Sequence, residues 1–259
     1  ETTQSIEVTE SGDYSVEVGN GDVNNYSMSC VGEDADVSLG NSTDFNFGTN
    51  YTIQTKINAN SFHSTQGHAE IISKRPMGGN GTGFALLVHP EYNDGDGIGF
   101  ATGSNNLIYY DETHSTGIWY DVAVTYDGDI LNLYIDGELK ISSTTVGSIG
   151  SNEIPVVLGR RSELGFYEHF FDGKLDDIAF WNYTLSEEEI QDYMNCSPTG
   201  TEDGLVGYWN FEEGSGETAF DQTENGNYGT INGATWSTET PEQSCSFCSS
   251  SDEIGVTIN

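Results

Sequence analysis

Positive charge is scarce in this sequence: 7 Lys and Arg stand against 42 Asp and Glu, for a formal net charge of −35. Binding nucleic acid or an anionic membrane surface requires basic side chains that neutralise phosphate, so neither partner is expected. No apolar run approaches the roughly 18 residues of a membrane-spanning helix, so no helical membrane insertion is expected. There is no Ser-His-Asp or Cys-His signature for nucleophilic catalysis. A sugar-cleaving pair of carboxylates is missing too: the most acidic strand, Lys174 to Ile178, carries Asp176 and Asp177 but no Glu and does not alternate. A non-catalytic protein follows. The chain opens at Glu1 without a secretory leader, so it reads as a mature or excised fragment of a secreted protein.

What is abundant points to β-structure. The 259 residues are 35% hydrophobic and 12% aromatic, with 32 Gly, enough apolar material for a packed core. Short alternating segments recur between Gly, Asn and Asp turns. Ile6 and Val8, then Tyr14, Val16 and Val18, alternate at the start. The clearest hairpin joins Trp119–Tyr126 to Leu131, Leu133 and Ile135 through Asp127-Gly128-Asp129, and Asp136-Gly137 turns the chain again. One helix stands out, with Ser186 as N-cap and Glu189 completing a capping box. Such spacing predicts an all-β sandwich or barrel with one short helix.

All seven basic residues lie between Lys56 and Lys174, leaving one-signed acidic flanks suited to a salty or calcium-rich extracellular medium. The four cysteines, Cys30, Cys196, Cys245 and Cys248, allow three disulfide pairings. Cys196–Cys245 is favoured, since it would staple the end of the helix to the end of the last strand. Cys245 and Cys248 also form a C-x-x-C pair, and Cys30 reads as a small buried hydrophobe in an alternating strand.

At this point the motifs resemble a family. The run Tyr26–Tyr193, with YSMSCVGEDADVSLGNSTDFNFGTNYTIQTKI, IISKR, GIWYDVAVTYDGDILNLYIDGEL, PVVLGRR and FFDGKLDDIAFWNYTLSEEEI in order, resembles laminin-G-like, concanavalin A-like jelly-roll domains. Trp119 to Ile190 also resembles the back half of pentraxins. The resemblance implies an antiparallel two-sheet jelly-roll sandwich. Residues Gly204–Trp236 resemble the strands that in this family precede the opening ones, which implies a circularly permuted sandwich. The ends resemble parts of immunoglobulin-like repeats of large secreted bacterial surface proteins. The expected organisation is therefore 1–25 as terminal strands of one such module, 26–240 as the laminin-G-like domain, and 241–259 as the start of the next. Terminal strands with free edges would pair with neighbouring modules or copies.

The expected function is a lectin-like binding module of a cell-surface adhesin, recognising carbohydrate or another surface ligand, with calcium as a structural ion. The alternatives are a filament-building repeat and an accessory domain of a polysaccharide-degrading enzyme. Calcium takes oxygen ligands from acidic turns. Asp34 and Asp36 together with Asp176 and Asp177 form one candidate set, because the family's strand order would bring them to neighbouring strands. The loop from Asp221 to Asn227, with Asp221 and Asn225 as ligands, is a second, and Asp94-Gly95-Asp96-Gly97 a third. For the sugar, Phe166, Tyr167 and His169 with Arg160 and Arg161 nearby form the most ligand-like cluster, and Tyr92 and Tyr110 are further aromatic candidates.

Overall fold

The computed structural model describes residues 12–14, 24–32, 34–62, 67–76, 81–89, 97–103, 106–144, 149–163, 169–243 and 254–256. In chain order the strands are β1 Gly12–Tyr14, β2 Ser27–Cys30, β3 Asp36–Gly40, β4 Tyr51–Ala59, β5 Ala69–Lys74, β6 Phe84–His89, β7 Gly97–Thr102, β8 Asn106–Tyr110 and β9 Trp119–Tyr126. They continue with β10 Leu131–Ile135, β11 Glu138–Ser143, β12 Val156–Leu158, β13 Gly173–Trp181, β14 Leu205–Trp209, β15 Thr218–Ala219, β16 Gly229–Asn232, β17 Thr235–Ser237 and β18 Ile254–Val256. The helix α1, Glu187–Asn195, lies between β13 and β14.

Two antiparallel sheets form the sandwich. The first runs β11-β10-β9-β4-β13-β2-β17, with β14 also paired to β13. The second runs β15-β16-β3-β12-β5-β6-β7-β8. The long central strand β13 pairs with β2 through Gly173–Leu175 and with β14 through Ile178–Trp181. Alternation sets the layers: Ile53 and Ile57 of β4, Val122 and Val124 of β9, and Phe84, Leu86 and Val88 of β6 all enter one core. Its centre is aromatic. Phe45, Phe47, Phe84 and Trp209 surround Phe180, with ring centroids 5.5 to 6.3 Å away.

The hairpins follow the sequence reading. The Asp127 side chain accepts hydrogen bonds from the backbone N–H groups of Asp129 and Ile130, closing the first turn. Asp136 and Gly137 both adopt positive φ, which this tight second turn requires. The capping box on α1 is also present: Ser186 Oγ accepts from the Glu189 N–H, and Glu189 Oε2 accepts from the Ser186 N–H. The helix lays Ile190 on the outer side of the first sheet, against a small second core with Trp181, Leu185 and Tyr208.

Residues 204–236 are part of the sandwich. Besides β14 on β13, β16 pairs with β3 and β17 with β2, so this segment completes both sheets. The domain begins and ends at one place, since Thr240 Oγ1 donates to the Asn24 carbonyl and Ser27 Oγ to that of Glu239. Of the two flanking segments, β1 and β18 are described, and they pair with each other antiparallel, Gly12 opposite Val256 and Tyr14 opposite Ile254. Strands expected in two separate modules thus meet in one ribbon. Cys30 is buried with a free thiol, which burial and Asp36 push up to about 12. Cys196 follows the last turn of α1 as its C-cap, its N–H donating to the Asp192 carbonyl. Cys245, its expected partner, lies outside the described residues.

Candidate functional site

The site is built at the end of β12. Gly159 adopts φ +87°, donates to the Ile71 carbonyl and accepts from the Phe171 N–H. A Cβ there would lie 2.8 Å from Cys30 Sγ and 2.9 Å from the Ala35 carbonyl oxygen. This turn sends two consecutive arginines in opposite directions, because β12 lies between β3 and β5. Arg160 Nε reaches Asp36 Oδ2 at 2.8 Å on β3, and Arg161 Nε reaches Glu70 Oε1 at 3.1 Å on β5. Gly159→Ala is expected to destabilise the fold by about 1–3 kcal/mol through left-handed backbone strain and overpacking. A thermal melt checks it, and an unchanged Tm would contradict the geometry.

Glu70 occupies the middle of an apolar strand. A register irregularity between Glu70 and Ile72 lets both Ile71 and Ile72 enter the core while Glu70 faces away from it. Its carboxylate is fully buried and serves two guanidinium groups. Arg75 donates to Oε1 through Nε and Nη2, and Arg161 donates through Nε. Burial alone would push this carboxyl up. The contacts with His68, Arg75 and Arg161 outweigh burial and hold it well below the usual carboxylate range. The other oxygen, Oε2, is buried without a hydrogen-bond partner.

Two imidazoles flank this group. His68 and His169 stack with ring centroids 3.8 Å apart and planes at 13°. His169 sits at φ +50°, and its carbonyl accepts from the Glu70 N–H. Burial, then the neighbouring His68, depresses His169 to about 4, so it is neutral at physiological pH. The Nε2 of His68 lies 3.1 Å from Arg75 Nη2 and 3.4 Å from Glu70 Oε1. The tautomer of His68 sets which of these two neighbours that nitrogen serves. Arg75, Arg160 and Arg161 against Glu70 and Asp36 then leave three positive charges and two negative, a surplus of one.

The edge of the second sheet also carries an exposed aromatic pair. Phe220 and Tyr228, half-exposed, stand edge-to-face at 5.2 Å just beyond the β15–β16 pairing.

The structure gathers only part of the expected set. Arg161 and His169 come together beside Glu70, whereas Arg160 turns away to Asp36 on β3, and Phe166, Tyr167 and Tyr92 lie outside the described residues. Tyr110 does not join them: it packs half-buried against the core with Lys140 Nζ over its ring. Reading the sequence missed Glu70, Arg75 and His68. The usable signal was a lone Glu inside an apolar run, with Arg five residues later.

The expected calcium sets do not form as drawn. Asp36 belongs to the second sheet and accepts from Arg160 and Asn232, whereas Asp176 and Asp177 sit on β13 of the first sheet and Asp34 is exposed. The strand order separates the pairs by the thickness of the core. Asp221 closes its own loop, accepting from the N–H groups of Tyr208, Thr223 and Asn227, while the Asn225 side chain donates to the Val206 carbonyl. Those oxygens already have donors, as Asx turns provide. Among the described residues no three His, Cys, Asp or Glu side chains group to hold a metal ion. Asp94 to Asp96 lie outside the described residues.

Asp176 and Asp177 instead belong to a buried network beneath α1. Register aligns Asp121, Lys56 and Asp176 across three adjacent strands. Asp177, at φ +47° in a strand irregularity, accepts from the Tyr208 hydroxyl, Ser197 and Gln243. Asp176 accepts from Asn24 and from the Asp177 N–H. Burial, then the adjacent Asp177 carboxylate, pushes Asp176 well above the ordinary value of 3.8. The unfolded chain therefore ionises at lower pH than the folded one. Stability from this group is fully present below the unfolded value and lost as pH rises toward the folded one. Asp176→Asn is expected to raise Tm at pH 7 to 8, with the gap closing toward pH 3.8. Asn24 can accommodate the change, since its Oδ1 lacks a partner and an amide turned over would accept from the new Asn. A Tm difference independent of pH would refute this account.

Comparison with known proteins places this geometry. The laminin-G-type sequence model of the concanavalin A-like lectin/glucanases superfamily matches residues 31–191, more than half the chain. A candidate carbohydrate-binding protein from Bacteroides ovatus superposes with a TM-score of 0.67 at 20% identity, over 85% of this chain and 61% of that one. The heptameric SAP-like pentraxin of Limulus polyphemus gives 0.59 at 16% identity, over 84% of this chain and 97% of that one. A curated rat protein with sushi, von Willebrand factor type A, EGF and pentraxin domains is 31% identical over 101 residues, spanning 36% of this chain and 3% of its own length. No described helix is long and apolar enough to cross a membrane.

Proposed function

Because the chain belongs to the concanavalin A-like lectin/glucanase superfamily, we propose that it is a non-catalytic carbohydrate-binding module of a secreted cell-surface protein. We place its ligand at the Arg75, Arg161 and Glu70 cluster. The carrying observation is that cluster itself: two guanidinium groups mostly buried but still reachable, at 13% and 16% side-chain exposure, around a carboxylate with one unpartnered oxygen. Planar donors and acceptors fixed by their neighbours are what sugar hydroxyls require. The same geometry disfavours glycoside hydrolysis. A catalytic acid needs a raised pKa and a second carboxylate across the scissile bond, whereas Glu70 is held ionised by its arginines.

A glycan array on folded protein tests this, run with millimolar calcium and again with chelator. Hits lost in Arg161→Gln support the reading. Hits lost in Phe220→Ala but kept in Arg161→Gln would move the ligand to the aromatic pair, and no hits would overturn it. Loss of hits with chelator would support the structural calcium expected from the sequence. Peptide mapping that joins Cys196 to Cys245 is the expected result for the disulfide.

A further inference from the structure

The chain contains only three arginines, Arg75, Arg160 and Arg161, and the fold brings all three to one part of one sheet. In a protein of net charge −35 this concentration needs a reason. A neutral sugar gives none, since hydroxyls are equally well served by Asn, Gln and backbone groups. Arginine is suited to a planar or tetrahedral oxyanion, which it grips with two parallel N–H donors.

The hydrogen-bond count points the same way. Glu70 uses Arg75 Nε and Nη2 and Arg161 Nε, and His68 lies beside Arg75 Nη2; among the described residues, Arg161 Nη1 and Nη2 and Arg75 Nη1 have no hydrogen-bond partner. Asp36 is taken by Arg160, and His169, depressed to about 4 by burial, adds no positive charge. One guanidinium charge is thus left over in a mostly buried place, where an uncompensated charge is costly. Next to it lies Glu70 Oε2, buried and without a donor. The cluster therefore lacks one anion and one hydroxyl.

We infer that the ligand is an acidic sugar, its carboxylate or sulfate group held by Arg161 and Arg75 and a neighbouring hydroxyl donating to Glu70 Oε2. This rests on the carbohydrate-binding reading and names the ligand class of the same site. The negative field of the whole protein opposes the approach of such a ligand, so association is expected to quicken as moderate salt screens that field. The local Arg–oxyanion contact then sets the lifetime of the complex.

The test is titration calorimetry and an array with uronate oligomers, sulfated galactose oligomers and matched neutral galactose oligomers. At least one acidic series is expected to bind tenfold or more tightly than its neutral counterpart. Arg161→Gln is expected to remove that preference, and Arg161→Lys to restore part of it. Binding of the uronates alone assigns a carboxylate, and binding of the sulfated series alone assigns a sulfate. Thermal melts guard against misfolding, and Arg75→Gln serves as an independent variant at the same site. Equal or tighter binding of neutral oligomers would overturn the inference and leave the carbohydrate reading standing. Binding of no sugar at all would overturn both.

Discussion

Lys56→Met is expected to lower the stability of the fold by about 3–5 kcal/mol, the usual result of removing one partner from a buried ion pair. Lys56 and Asp121 are each about 95% buried, and Nζ lies 3.1 Å from Asp121 Oδ2 and 2.7 Å from the Met194 carbonyl near the end of α1. Burial pushes the Asp121 carboxyl up, with Lys56 and Gln54 drawing it back. Burial would likewise discharge Lys56, but the charges of Asp121, Asp177 and Asp176 hold it protonated. Removing the ammonium leaves a carboxylate in a dry interior, with Gln54 as its remaining side-chain donor. Lys56→Met combined with Asp121→Asn is expected to recover at least half of the loss, because the new amide still accepts from Gln54 and carries no charge. Denaturant midpoints measure both. A loss below about 1 kcal/mol in the single variant would mean the pair behaves as a surface salt bridge.

Trp209→Ala is expected to lose a similar amount, about 3–5 kcal/mol, as large aromatic truncations in cores do. Trp209 is fully buried against Phe45 and Phe180, and its Nε1 donates to the Asn227 carbonyl. It lies in the segment after residue 203, so the same physics predicts a harsher result for truncation. A chain ending at residue 203 loses β14, β16 and β17 together with Trp209 and Phe211 from the main core. It is expected to give no cooperative unfolding transition. A sharp transition in the truncated chain would mean that 204–236 is an independent unit.

The strands, both turns of the central hairpin and the capped helix were legible in the sequence because each depends on residues close together in the chain. Asp127, Gly137 and Ser186 act within three or four positions of themselves. Arg161 and His169 were legible together because they are near one another in sequence, but nothing in that nearness showed that Arg160 would turn to the other neighbouring strand. Glu70 was hidden by its neighbours: between Ala69 and Ile71 it reads as an interruption of an apolar strand. Only the irregularity at Ile72 shows that it faces away from the core. The acidic pairs misled for the complementary reason. Asp36 and Asp176 look alike in sequence, yet their strands lie in opposite sheets.

By itself, then, the amino-acid order determined the fold class, the helix and its cap, the position of the tight turns and the net charge. Period-two alternation, turn chemistry and net charge are local or additive properties, readable without coordinates. The tertiary structure alone decided that the arginines share one carboxylate, that Lys56 lies between Asp121 and Asp176, and that 204–236 closes both sheets. Those outcomes depend on strand order and register, set by how the whole core packs rather than by any stretch of the chain.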